Sequence, residues 1–152
     1  MTAPEHIVIT KVIRAPRDLV FVAWTDPAHV AKWWGPDAIT SEVLAWEMRP
    51  GGTIRIDMHA PKGVVYPMSG TIREVVPPER FVFQSGALDA GGKSLFEVLA
   101  TVTFADQGGE TALTLDLHVL SKTPGADRYL LGMKAGWTQS LGRLATLSEA
   151  GG

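Results

Sequence analysis

The feature that most constrains the fold is a run of short apolar segments between residues 39 and 120, separated by breaks that contain Gly or Pro. The segments span residues 39–48, 53–59, 64–76, 80–86, 94–104 and 111–120. Gly and Pro at the breaks supply the backbone conformations that tight turns need. Because connections this short join antiparallel neighbours, the run predicts a six-stranded antiparallel meander.

A further strand and two short helices are predicted before this meander. Residues 6–14 are rich in β-branched side chains and indicate a first strand. Pro16 suits the first turn of a helix, so a helix is expected to begin there. A second short helix is expected to have Asp26 as its N-cap and Pro27 at its first position, and to end at Gly35.

The chain ends in a segment with helical periodicity. One apolar stripe is formed by Leu130, Met133, Trp137, Leu141 and Leu144. It predicts a single helix of more than about twenty residues, over about 30 Å long, that ends near Ser148. The order of elements predicts one α+β domain over residues 1–152, with a core at about 6–148, in which the helix crosses the concave face of a curved seven-stranded antiparallel sheet.

Composition excludes several classes of protein. The 152 residues include no cysteine, so disulfides and thiolate chemistry are absent. The formal net charge of −2 does not favour a nucleic-acid partner. The first ten residues do not resemble a signal peptide, and no apolar run is long enough for a membrane span. A cytoplasmic location is therefore expected.

Strand alternation predicts an inner surface that is almost wholly apolar. On the strand at residues 53–59, Ile54 and Ile56 are expected to face inward and Asp57 and His59 outward, together with Arg55; a slip of one residue would reverse this. Such a surface is compatible with a plain filled core. Flexible methionines and a glycine within the long strand, Gly70, which leaves space or marks a bulge, favour a pocket instead.

The residues predicted to line this pocket come from the inner strand faces, the end of the second helix and the long helix. They are Trp34, Ile56, Met58, Tyr66, Met68, Phe83, Phe96, Val98, Leu115, Met133, Trp137 and Leu141. Of Trp33 and Trp34, one is expected to pack inward and the other to lie near the mouth, because neighbouring helical residues point about 100° apart. Trp137 is expected to form a wall or to pack in the core, with Gly136 allowing a close approach of the helix. The Tyr66 hydroxyl either orients a ligand or bonds to the backbone.

Four blocks of sequence together carry a family resemblance. The first runs from Ala15-Pro16 through Trp24-Thr25-Asp26-Pro27 to Trp33-Trp34-Gly35-Pro36, and the others are Met48-Arg49-Pro50-Gly51-Gly52, Glu74-Val75-Val76-Pro77-Pro78-Glu79-Arg80 and Gly136-Trp137-Thr138-Gln139-Ser140-Leu141. In this order they resemble the bacterial homologues of the heat shock protein 90 ATPase activator, over nearly the whole chain. That resemblance implies the helix-grip fold of the START/Bet v 1-like superfamily and a deep cavity used for apolar molecules.

The resemblance leaves the function open between classes. A non-enzymatic binder, carrier or sequestering protein is expected, with a cyclase- or hydrolase-like enzyme as the alternative. A chaperone partner is not expected, because the first strand begins near residue 6 and leaves no room for the activator's additional N-terminal domain; a homodimer stays open. No cofactor is expected, and the four scattered histidines show no spacing typical of a metal site.

Overall fold

A computed structural model describes residues 5–151. The strands are β1 (His6–Ile13), β2 (Thr40–Trp46), β3 (Thr53–His59), β4 (Val65–Val76), β5 (Arg80–Ala87), β6 (Phe96–Asp106) and β7 (Thr111–Lys122). The helices are α1 (Arg17–Thr25), α2 (Pro27–Trp33), α3 (Asp127–Leu131) and α4 (Met133–Glu149), with one 3₁₀ turn at Pro61–Gly63. This order of elements agrees with the prediction from the sequence.

The seven strands form one antiparallel sheet in the order β1-β7-β6-β5-β4-β3-β2. Strands β2 to β7 are a meander in which each strand pairs with the next, as the short breaks predict. β1 pairs with β7, so the first and last strands are neighbours and β1 and β2 form the two edges. The α+β helix-grip prediction is confirmed.

The two short helices begin and end close to the predicted residues. Pro16 is the N-cap of α1, and the Asp26 side chain caps α2 by accepting a hydrogen bond of 2.9 Å from the Ala28 amide. That hydrogen bond holds the pKa of the Asp26 carboxyl below its ordinary value. The end of α2 is tied to α4 by Arg143, whose guanidinium donates to the carbonyls of Lys32, Gly35, Pro36 and Ile39.

The prediction of one long C-terminal helix is wrong in one respect. The helical segment is interrupted at Gly132, which leaves α3 with five residues and α4 with 17. The Gly132 amide donates to the carbonyl of Tyr129, three residues earlier, at 3.2 Å, so the regular α-helical hydrogen-bond pattern is interrupted at this weak helix former. Leu130 consequently packs with Ala126 in a small cluster of its own, against Phe96 and Met133.

The main core lies between the sheet and the helices α1, α2 and α4. Its largest fully buried side chains include Trp24, Trp33, Phe81, Phe83, Ile54, Ile56, Leu113 and Leu115. Trp24 is central: its ring centroid lies 4.5 Å from that of Trp33 and 5.2 Å from that of Phe81. Burial of several large aromatic side chains in one place concentrates the stabilisation of the fold at this end of the sheet.

Candidate ligand-binding cavity

A cavity of about 940 Å³ lies beside the main core, between the sheet and the C-terminal helices. Its border is formed by the loop after α2, by the inner faces of β3 to β7, by the loop from Leu88 to Ala90, and by α3 and α4. Tyr66, which is 42% exposed, lies where the cavity meets solvent. The sheet and helices therefore enclose a space that meets solvent near Tyr66.

The cavity exists because inward-facing side chains become small along β5. Phe81 and Phe83 are fully buried, and the next two residues on the same face are Ser85 and Ala87, which border the cavity. On β6, Ala100 lies opposite Phe83 and is also small. We call the region around Phe81 the filled end and the region around Ser85 and Ala87 the open end. This change from large to small residues was visible in the sequence but was not recognised there.

Two of the four residues by which α4 borders the cavity are small. Gly136 and Ser140 border the cavity on either side of Trp137. The expectation that Gly136 permits a close approach is wrong, because a Cβ placed on it would meet no atom within 4 Å. The missing side chain of Gly136 adds to the open space. Trp137 itself is half-buried, with its ring stacked on Trp24 at 6.0 Å, so it is a wall that also rests on the core.

Gly70 serves a different purpose from the one expected. A Cβ on this residue would overlap the carbonyl oxygen of Gln84 on the neighbouring strand. The residue lies opposite Ser85, and the register shift in this pair of strands occurs later, between Ile72 and Glu74. Gly70 therefore neither opens space nor marks a bulge; it allows the backbones of β4 and β5 to approach closely where the sheet curves.

Nine of the twelve predicted pocket residues border the cavity. They are Trp34, Met58, Tyr66, Met68, Phe83, Phe96, Val98, Met133 and Trp137. The other three, Ile56, Leu115 and Leu141, are at most 1% exposed and belong to the packed core. Strand and helix periodicity identified the correct faces, but it could not separate the filled end from the open end. Contact of the nine residues with a ligand stays a prediction.

The expectation that one of two neighbouring tryptophans lies at the mouth is wrong. Trp33 and Trp34 are 0% and 3% exposed. Trp33 is the last residue of α2, whereas Trp34 has an extended backbone with ψ of 133°, so the angular spacing of a helix does not apply between them. Trp33 donates to the carbonyl of Ala23 at 2.9 Å, and Trp34 packs edge-on against Trp137 at 5.0 Å. Trp34 is therefore an interior wall of the cavity.

Two charged residues of β3 border the cavity although alternation predicts them outside. The ladder places Ile56 opposite Met68 and Asp57 opposite Pro67, so Arg55 and Asp57 do leave the strand on the face opposite Ile56. Nevertheless both belong to the cavity border, and Arg55 Nε and Asp57 Oδ1 are buried with no hydrogen-bond partner among the described residues. Hydrogen bonds to β2 on one side and β4 on the other fix the direction in which these side chains leave β3.

The open end carries a second polar group that the sequence did not reveal. The guanidinium of Arg128 lies 4.7 Å from the centre of the Tyr129 ring, and its Nη2 donates to the Tyr129 hydroxyl at 2.8 Å. Both residues are on α3 and border the cavity. The helix is held to the end of β7 by Lys122, whose Nζ donates to Asp127 at 2.9 Å, and this bond raises the pKa of Lys122.

Comparison with known proteins gives consistent matches. A family model described as Activator of Hsp90 ATPase homolog 1-like protein matches residues 14–149. The solved structure of protein CV1439 from Chromobacterium violaceum is 30% identical, covers 96% of this chain and 98% of its own, and has a TM-score of 0.80. Protein Ms6760 from Mycobacterium smegmatis is 25% identical, with coverages of 94% and 90% and a TM-score of 0.80.

A more distant structure, a protein from Arthrobacter aurescens, has the higher TM-score of 0.87 at 21% identity, with coverages of 96% and 87%, and supports the fold. A comparison with curated protein sequences returns no match. No helix among residues 5–151 is long and apolar enough to cross a membrane.

Proposed function

Because this chain belongs to the family of Activator of Hsp90 ATPase homolog 1-like proteins, we propose that it binds a small, mostly apolar molecule in its cavity and does not transform it. The observation that carries the proposal is the cavity of about 940 Å³ at the open end. Pockets for small molecules commonly measure about 300–1,000 Å³ and are lined by apolar side chains with few polar groups. The superfamily resemblance of the sequence supports the same reading.

The side chains of the open end suit an adaptable apolar ligand. Met58, Met68 and Met133 supply flexible, polarisable contacts, and Trp34 and Trp137 supply rigid aromatic walls. An empty space of this size does not stabilise the fold, because protein interiors are stabilised by close packing. The polar atoms lie at the border, where they would fix the orientation of a ligand that carries one or two polar groups.

The border offers little for catalysis by proton transfer. Its acidic residues are Asp57 and Asp89, its basic residues are Arg55 and Arg128, and no histidine of the described chain is among them. General acid–base catalysis needs a titratable group within hydrogen-bond reach of the reacting atom, usually with its pKa tuned towards the working pH. Apart from these four, the lining residues carry no carboxylate, imidazole or ammonium group, so most of the cavity surface supplies binding without such a group.

One observation favours the enzymatic alternative. Asp57 Oδ1 is buried, has no partner among the described residues, and lies at the cavity border. A carboxylate of this kind would serve a cyclase or hydrolase as a base. Sustained turnover of an aromatic ester or polyketide, followed by mass and lost in Asp57→Asn, would establish this alternative in place of simple binding.

The proposal is tested by titrating the purified protein with N-phenyl-1-naphthylamine, a neutral apolar dye, and by native mass spectrometry for a co-purifying molecule. We expect saturable dye binding that is weakened in Ser85→Leu, because the larger side chain takes up part of the open end. Thr103→Leu is the matched control, since this residue of β6 lies on the outer face of the sheet. Absence of both dye binding and a co-purifying molecule, or equal loss in the control, would contradict the proposal.

A further inference from the structure

Two histidines that are distant in the sequence meet on the outer face of the sheet. β1 and β7 are paired so that His6 lies directly opposite His118. Their imidazole rings are stacked, with centroids 4.0 Å apart and planes inclined by 13°. The sequence spacing gave no hint of this pair, because it depends on the pairing of the first strand with the last.

A carboxylate completes the group. Asp116 lies two residues before His118 on the same face of β7, and its Oδ1 is 3.1 Å from Nε2 of His6 and 3.0 Å from Nε2 of His118. One ligand atom from each of the three side chains lies within 4.8 Å of the other two. Two imidazole nitrogens and a carboxylate oxygen thus converge on one small volume at the surface.

We propose that His6, Asp116 and His118 form a binding site for a divalent transition metal ion, with Zn²⁺ as the ion of choice for a test. Neutral imidazole and carboxylate are the ligands that such ions take in proteins, and imidazole in particular suits Zn²⁺, Cu²⁺ and Ni²⁺. Tetrahedral bonds of about 2.0–2.1 Å place ligand atoms about 3.3 Å apart. The two distances from Asp116 Oδ1 are within a few tenths of an ångström of that separation. To bind the ion, the stacked rings rotate out of their parallel arrangement so that both Nε2 lone pairs point at it.

The site is partly exposed, and its partners on the neighbouring strands are uncharged. His6, Asp116 and His118 have side chains that are 51%, 35% and 52% exposed, so water can fill the remaining coordination positions. Their other partners across the strands are Val8, Leu99 and Thr101. None of these ladder partners is cationic, and none offers a competing carboxylate.

The site is separate from the cavity and acts on a different part of the fold. The residues next to it in the strands, Ile7 and Leu117, face the opposite side and are buried in the core. Because β1 is an edge strand whose only neighbour in the sheet is β7, an ion bound across this pair would fasten β1 more firmly to the sheet. An ion that binds the folded chain and not the unfolded one raises the stability of the fold.

The test is isothermal titration calorimetry of ZnCl₂ into protein freed of any histidine tag and of bound metal. We expect one Zn²⁺ per chain, with affinity lowered by more than about tenfold in both His6→Ala and His118→Ala, since even losing a residue that only supports a metal ligand costs about 10–100-fold. His59→Ala is the matched control. His59 is also an exposed strand histidine next to a carboxylate, 3.0 Å from Glu42, but it has no second imidazole beside it.

A second measurement separates loss of the site from loss of the fold. Saturating Zn²⁺ is expected to raise the melting temperature of the wild type and of His59→Ala and to leave that of His118→Ala unchanged. The metal-free melting temperatures of all three should be similar, because the side chains are at the surface. Absence of stoichiometric binding by the wild type, or binding that survives in His118→Ala, would overturn the proposal and leave the three groups as a hydrogen-bonded cluster.

Discussion

The filled end and the open end of the molecule are covered by the same sheet and the same helix, yet one is packed and the other is hollow. At the filled end, Trp24, Trp33 and Phe81 are fully buried and pack ring against ring. At the open end, Ser85, Ala87 and Gly136 face a space that no side chain fills. The inward side chains are large at the filled end, and those of β5 become small at the open end. The packing at the filled end can therefore stabilise the fold while the open end stays available for a ligand.

The largest effect is expected from a truncation at the filled end. Trp24→Ala should lower the free energy of unfolding by about 3–5 kcal/mol, because the ring is fully buried and its neighbours cannot collapse into the space. Urea denaturation followed by far-ultraviolet circular dichroism measures the change. A loss below about 1 kcal/mol would show that this end is not the stabilising one.

The equivalent truncation at the open end should lower the free energy of unfolding by less. Trp137→Ala removes a half-buried ring that already borders empty space, so we expect a loss of about 1.5–3 kcal/mol, without the additional cost of creating a new cavity. Dye affinity should change in this variant, because a wall of the cavity is removed. A loss as large as that of Trp24→Ala with unchanged dye binding would assign Trp137 to the core.

Enlarging a side chain should also distinguish the two ends: it should destabilise the fold at the filled end and weaken dye binding at the open end. Ala23→Leu, at a residue that is 2% exposed, should destabilise the fold by about 1–3 kcal/mol through overpacking. Ala87→Leu adds the same atoms at the cavity border and should change stability much less while it weakens dye binding. Thermal denaturation and dye titration of both variants provide the comparison. Equal destabilisation would mean that the open end is not hollow in solution.

The smallest effect concerns two glycines of α4. Gly136→Ala and Gly142→Ala should each stabilise the protein by about 0.5–1 kcal/mol, because alanine is the better helix former and a Cβ meets no atom within 4 Å at either position. Only Gly136 borders the cavity, so only Gly136→Ala should alter dye affinity. Identical dye affinities in the two variants would place the ligand away from this face of α4.

Much of the fold followed from the sequence, because turn residues and periodicity are local signals. The antiparallel meander of β2 to β7, the Asp26 cap and the inward faces of β3 to β6 needed no knowledge of distant contacts. The interruption at Gly132 was not predicted, because the apolar stripe of the sequence continues through it and only the backbone shows the break. The stacking of His6 on His118 depends on strand pairing across the whole chain. Neither the helix break nor the histidine pair could be predicted from the spacing of residues in the sequence.

The candidate site was predicted less completely, for a physical reason. Alternation gives the direction of a side chain but not the volume that remains in front of it. Ile56 and Leu115 face the same way as Met68 and Val98, yet the first two meet packed neighbours and the last two meet space. The decrease in size from Phe83 to Ser85 along β5 was the available signal, and it becomes informative once the strands on either side are known.

The interruption at Gly132 has a consequence for the timing of binding. α3 is only five residues long and is held by a small cluster around Leu130 and by the surface pair of Lys122 and Asp127, whereas α4 is anchored in the main core. Local opening of α3 therefore costs less free energy than opening of α4. Amide hydrogens of α3 should exchange faster than those near Leu144. Since α3 borders the cavity, the rate at which a ligand enters and leaves should be set by this short segment, whereas its affinity is set by the walls behind it.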